Sequence, residues 1–252
     1  MNLALTRRLL LVGGTSEIGL AIARRVAAAA APPLVVHLLA RDQARLQNAR
    51  QSLEREGCEV HTGTVEATEL GSHAEAIGAA FAHAGGFDLV VVAIGLLGAQ
   101  EATAGSIDEA NAVMSVNFLG TGSLLLHCLR ALERQGSGTL VVLSSVAAER
   151  PRASNPVYGA AKTGLDALAQ GLADRSAGSG VRVLVVRPGF VTTRMTEGLK
   201  PAPFATTADA VADATVRALA GHAHTVWVPR QLRLVFAVLR HLPRPVFRRL
   251  PV

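Results

Sequence analysis

The chain is poor in cysteine, in aromatic residues and in unbroken apolar runs, and each shortage excludes something. Cys58 and Cys128 are the 2 cysteines; they are far apart and form no CxxC or other ligand spacing, which excludes a disulfide scaffold and a thiolate metal centre. Both read as buried or incidental thiols. No apolar run reaches the roughly 18 residues that a spanning helix needs, and Met1–Arg8 leads directly into a strand pattern instead of an export signal. The 8 histidines are scattered, and His222 and His224 read as turn residues, so no metal site is expected. Acidic residues are absent after Asp213. Arg230, Arg233, Arg240, Arg244, Arg248 and Arg249 account for the net charge of +6, since the other 19 basic residues balance 19 acidic ones. A neutral body with a basic tail argues against a nucleic-acid-binding surface spread over the domain.

Apolar residues are abundant instead, at 50% of 252, enough for one sizeable core. Apolar strand patterns at 7–12, 33–40, 60–65, 88–95, 139–143, 181–186 and 225–228 alternate with helical stretches at 20–27, 41–56, 72–83, 107–132, 158–175 and 208–220. Continuous apolar strands alternating with helices predict an α/β fold, a single-domain, Rossmann-type, doubly wound parallel sheet over 1–228. A basic amphipathic tail over 229–252 follows. The first strand runs into Gly13-Gly-Thr-Ser-Glu-Ile-Gly19, where a glycine turn lets backbone approach a pyrophosphate and a helix N-terminus supplies free N–H groups. Thr15 or Ser16 can cap that helix.

The chemically informative stretch runs from Ser145 to Lys162. Tyr158, the single tyrosine, and Lys162 are spaced i, i+4 and share one helix face. An ammonium beside a phenol favours the phenolate and is expected to lower its pKa, which suits a general acid or base acting on an alcohol or ketone. Ser145, at a strand end, can hydrogen-bond the same oxygen.

Taken together, the glycine turn, Asn117, Ser145 and Tyr158-x-x-x-Lys162 make the chain resemble the short-chain dehydrogenase/reductase family over nearly its whole length. The resemblance implies an NAD(P)H-dependent oxidoreductase with Tyr158 as proton donor and Ser145 orienting the carbonyl. It also implies that Lys162 holds the nicotinamide ribose and that Asn117 keeps a water in a proton relay. Ser144 is the neighbouring candidate; Ser145 has the family's usual spacing to Tyr158. Cofactor contacts are implied at Gly13, Thr15, Ser16, Glu17, Ile18, Gly19, Arg41, Ala93, Gly95, Tyr158, Lys162, Pro188, Gly189, Val191 and Thr193. Three positions depart from the family pattern: Glu17 replaces a glycine, Ala93-Ile-Gly95 replaces an asparagine-rich strand end, and Thr64 stands where an aspartate is common.

Further wording, including Ile94–Gly98, Arg187–Met195 and Leu239–Val252, resembles a branch of the family acting on a decaprenylphosphoryl-linked sugar. That resemblance implies reduction of the C2 ketone of a 2-keto-erythro-pentofuranose to the arabinofuranose of cell-wall arabinan. It further implies a flavin-dependent oxidase as partner and a homo-oligomer; the N-terminal pattern and the need for reduced nicotinamide lead to an expected place on the cytoplasmic side of a membrane, with the periplasmic face the alternative. Residue chemistry at Ala40-Arg41-Asp42 leans to NADPH, whereas the branch implies NADH, and NADH is the expected cofactor with NADPH the alternative. On a helix from about Gln231 to His241, Leu232, Val235, Phe236 and Leu239 form an apolar stripe. It is expected either to lie in a membrane interface or to pack on the domain or a second subunit. Arg194 and Lys200 are the cations expected to meet a substrate phosphate. Two other readings stand beside this one: a reductase of another lipophilic carbonyl, such as a ketoacyl or steroid substrate, and a non-catalytic dinucleotide-binding partner subunit.

Overall fold

A computed structural model describes residues 1–31, 33–98 and 106–249. Leu250–Val252, the end of the predicted tail, lie outside the described residues. The expected strand–helix alternation is observed: β1 (Arg8–Val12), α1 (Glu17–Ala29), β2 (Val35–Ala40), α2 (Gln43–Arg55), β3 (Glu59–Thr64), α3 (His73–Ala84), β4 (Leu89–Val92) and α4 (Ile107–Met114) come first. A π-helical segment, Ser115–Gly120, joins α4 to α5 (Thr121–Gln135). The second half runs through β5 (Gly138–Leu143), α6 (Pro156–Arg175), β6 (Val181–Pro188), β7 (Val191–Thr192), β8 (Thr206–Thr207), α7 (Ala208–Ala220), β9 (Thr225–Val228), α8 (Leu232–Leu239) and α9 (Arg244–Phe247).

The main sheet has 7 parallel strands in the order β3-β2-β1-β4-β5-β6-β9. Its strands are apolar on both faces because helices cover both. One core layer joins Leu11, Ile22, Leu38, Leu46, Val91 and Leu184; the other joins Leu10, Ile77, Phe87, Val90, Leu125 and Leu165. The segment from Ile107 to Gln135 is apolar and long enough in composition to cross a bilayer. Its residues Leu124, Leu125, Cys128, Leu129 and Leu132 instead cover the sheet.

One feature was not expected, and the tail takes one of its two expected courses. The proline-bearing stretch after β6 carries a small parallel pair, β7–β8, with Val191 opposite Thr206. The tail stripe is turned inward: Leu232 and Phe236 are buried against Val146, with Trp227, Val235 and Leu239 beside them. Arg150 fixes the tail further, donating to the carbonyls of Arg240 at 3.1 Å and Leu242 at 3.2 Å.

Candidate active site

The C-terminal ends of the parallel strands form a cleft of about 660 Å³, lined by Gly13, Thr15–Ile18, Leu39–Asp42, Arg45, Val65–Ala67, Ala93–Gly98 and Thr193–Met195, among others. Gly13 has φ +95°, and a Cβ there would lie 2.7 Å from the Ala93 carbonyl oxygen, so the turn closes onto the end of β4 only with glycine. Ser16 caps α1 by accepting from Gly19 N at 3.2 Å. Thr15 and Ser16 line the cleft, leaving first-turn N–H groups of α1 for an anion. This turn and cleft fit a dinucleotide pyrophosphate. Gly19 packs on Leu11 and Ala93 and thus brings helix to strand without lining the cleft.

Glu17 is an unusual neighbour for a pyrophosphate, and the structure shows its partner. Its carboxylate accepts from Arg194 Nε at 2.7 Å and Arg194 N at 2.9 Å, and Arg194 also donates to the Thr15 carbonyl at 3.0 Å. Partial burial pushes the Glu17 carboxyl up, but the Arg194 hydrogen bonds and charge outweigh it, and the net pKa is lowered. Arg194 was expected to meet a substrate phosphate; it instead ties the loop after β7 to the glycine turn. Lys200 is exposed.

At the far end of the cleft, Asp42 is occupied as the N-cap of α2. It accepts from Arg45 N at 3.0 Å and pairs with the Arg45 guanidinium at 3.2 Å. Arg41 is largely exposed, with a 3.4 Å contact to Glu66. Thr64 accepts from Gln43 at 2.6 Å.

The other predicted residues meet beside the end of β4. Asn117 is fully buried in the π-helical segment. Its amide donates to the carbonyls of Leu96 at 2.6 Å and Val113 at 2.9 Å, and its oxygen accepts from Leu96 N at 3.2 Å. A side chain at Gly95 would sit 3.3 Å from Asn117 Oδ1 and 3.7 Å from Lys162 Nζ, so cleft, asparagine and lysine converge there. Ser145 follows the end of β5 by two residues, its hydroxyl accepts from Ala147 N at 3.1 Å, and it acts on the Tyr158 phenol to lower its pKa. Ser144 points the other way and donates to the buried Asp166, which separates the two serines as the strand pleat requires.

Burial raises the Tyr158 pKa above its ordinary value, and neighbouring Ser145 and the Arg152 charge offset this only in part. The expected effect of Lys162 on the phenol is therefore corrected. Residues i and i+4 do share the helix face, but the ammonium turns inward and donates to the Leu143 carbonyl at 3.2 Å. It stands 6.0 Å from the Tyr158 ring centroid, and Arg152 is the cation that acts on the phenol. Burial moves Lys162 itself down to about 8, with Asp166 opposing.

The Val191 side chain is buried in the core, which leaves its backbone as the part able to face a cofactor. Pro188 and Gly189 pair with β9, through Pro188 opposite Val228 and Gly189 N donating to Val228 O at 2.8 Å. They position the loop, whereas Thr193 lines the cleft.

The short chain dehydrogenase family matches residues 7–203. The chain belongs to this family. Its relatives include an uncharacterized oxidoreductase of Streptomyces coelicolor, 46% identical over 98% of this chain and 96% of that one. An uncharacterized oxidoreductase of Mycobacterium tuberculosis is 43% identical over 95% of each. Among solved structures, a short chain dehydrogenase of Burkholderia cenocepacia in complex with NADP aligns over all of both chains with TM-score 0.83 at 21% identity. A short-chain dehydrogenase/reductase of Mycobacterium ulcerans aligns over 97% and 98% with TM-score 0.78 at 26% identity. This short-chain dehydrogenase is thus an NAD(P)-dependent oxidoreductase with a Rossmann-type sheet.

Sequence reasoning missed the support beneath the short-chain dehydrogenase site. Arg187, at the end of β6, donates to Asp166 at 2.9 and 2.7 Å, and to Glu149, while its guanidinium lies 5.0 Å from the Trp227 ring centroid. Trp227 Nε1 donates to Glu149 at 3.1 Å. The signal was an arginine ending a strand that is apolar on both faces, where a charge requires buried partners. Arg152 was also missed, since its proximity to Tyr158 depends on the loop before α6.

Proposed function

We propose that this enzyme uses NADPH to reduce a ketone carried by an anionic substrate with an apolar chain. The observation that carries this reading is a second cleft, about 540 Å³, lined by Arg150, Arg152, Arg244 and Arg248 with Pro151, Leu242 and Phe247. Arg152 couples this cleft to Tyr158, because its charge acts on the phenol. Guanidinium groups suit a phosphate, and the apolar wall suits a hydrocarbon chain.

Bound nicotinamide would supply the hydride. Tyr158 donates the proton to the carbonyl oxygen, Ser145 donates a hydrogen bond to it, and both oppose the charge developing there. Asn117 fixes the strand end beside them. Lys162, beside Gly95, supplies a cation for the ribose. Arg41 and Arg45 favour NADPH over the NADH implied by resemblance, because Asp42 is engaged in capping and two arginines flank the position of a 2'-phosphate. NADP in the Burkholderia structure is consistent with this choice.

Within this class, a polyprenylphosphoryl-2-keto-erythro-pentofuranose matches the chemistry of the cleft: a ketone, a phosphodiester-linked sugar and a prenyl chain. Its reduction would give the arabinofuranose, with a flavin-dependent oxidase supplying the ketone. Exposed Ile107, Met114 and Leu119 support a homo-oligomer through α4 and the π-helical segment. The demand for reduced cofactor supports the cytoplasmic side of the membrane.

The test follows reduced-cofactor consumption by wild type and Tyr158→Phe, using membranes containing the oxidase and polyprenylphosphoryl ribose. Oxidation that requires both the oxidase and Tyr158 supports the keto-pentose reading. Turnover of soluble ketones without the oxidase would replace it with a reductase of other lipophilic carbonyls. Tight cofactor binding without turnover would make the protein a partner subunit.

A further inference from the structure

His37, His61 and His83 are scattered in sequence, and the fold brings them together at the β3 edge of the sheet. His37 and His61 are register partners on adjacent parallel strands, so both side chains project from one face. The last turn of α3, which carries His83, lies over that face. Ring centroids are 4.7 Å apart for His37 and His61, 5.2 Å for His37 and His83, and 4.6 Å for His61 and His83. One nitrogen from each ring lies within 4.8 Å of the others.

Two further observations indicate a ligand at this cluster. His37 is only 5% exposed, and its Nε2 is buried without a hydrogen-bond partner among the described residues. A buried polar nitrogen left unpaired is costly. Glu59, two residues before His61 on the same strand face, contacts His61 Nε2 at 2.8 Å. Carboxylates commonly orient metal-binding imidazoles in this way.

We propose that His37, His61 and His83 bind a divalent transition-metal ion of the zinc class. The expectation of no metal site is thereby replaced. Three neutral imidazoles supply the ligand set, with water completing four-coordination while Glu59 stays on His61. The exposed His83 gives the entry path, and the buried His37 closes the far side. Contraction to metal–nitrogen bonds of about 2.0–2.1 Å needs rotation of the two less buried rings. Burial, aided by His61 and His83, pushes His37 down to about 4, so its ring is neutral and ligand-competent near neutral pH. The site clasps α3 to the edge strand β3 across β2 and lies away from Tyr158 on α6. Its role is structural, and it stands independently of the proposed substrate.

The experiment uses the untagged full chain freed of metal with a chelator, then titrated with zinc chloride by calorimetry and thermal denaturation. Wild type is expected to bind one zinc per chain and to melt at higher temperature with it. His61→Gln and His83→Gln should each weaken binding by about tenfold or more while retaining NADPH binding as proof of folding. His222→Gln should bind like wild type. Cobalt should give the intense visible absorption of a tetrahedral centre, lost in His83→Gln. Failure of wild type to bind zinc would overturn the proposal, and so would binding unchanged in either His61→Gln or His83→Gln.

Discussion

At the residue scale, the environment of Tyr158 differs from what its spacing to Lys162 suggests. Reduction requires the phenol protonated, and burial holds it so well above neutral pH. Arg152 partly opposes this, so Arg152→Gln should move the alkaline limb of kcat to higher pH. The same change should raise KM for an anionic substrate by about 10- to 100-fold, with little change for a neutral ketone. A pH profile with both substrates checks this. His37 gives a second titration. Its folded pKa, about 4 against 6.5 unfolded, means that the unfolded chain takes up a proton first as pH falls. Stability should therefore be intact above about 6.5 and decline toward 4. Urea midpoints at pH 7 and pH 5, measured with chelator present, should converge in His37→Leu.

At the element scale, the strand–loop–helix from β5 to α6 is held by a buried ionic network. Arg187, Asp166 and Glu149 have side chains only 9%, 5% and 10% exposed. Arg187→Met leaves buried Asp166 without its cation and Glu149 with Arg240 alone at 3.9 Å, and should cost about 3–5 kcal/mol. Urea unfolding measures this, and Asp166→Asn in the same background should recover part of the loss. The strand and helix order was legible because apolar runs and helical periodicity are local properties. Ser145, Tyr158, Lys162 and Asn117 were legible through their order along the chain. The Arg187 network, the inward turn of Lys162 and the His37–His61–His83 cluster were not, because each depends on which strands become neighbours. The π-helical segment also escaped: its sequence reads as ordinary helix, yet it carries Asn117 to Leu96.

At the scale of the whole molecule, the tail is part of the domain through Leu232 and Phe236. Its other side exposes Leu234 and Val238, at 74% and 63%, beside Arg233 and Arg240. We propose that this face meets the membrane. Replacing both Leu234 and Val238 with serine should then reduce cosedimentation with anionic liposomes while leaving cofactor binding; unchanged cosedimentation would reject this role. The charge distribution has a consequence for how the enzyme meets its substrate. Cations of α9 and its flanks gather around the cleft beside Arg152, while the rest of the chain is near neutral. The molecule is therefore an electric dipole whose positive pole is the end that we propose binds the substrate. Near an anionic surface the field applies a torque as well as an attraction, so the enzyme arrives already oriented with that end leading. Added salt should slow encounter and lower kcat/KM on vesicle-borne substrate, while leaving kcat at saturation unchanged.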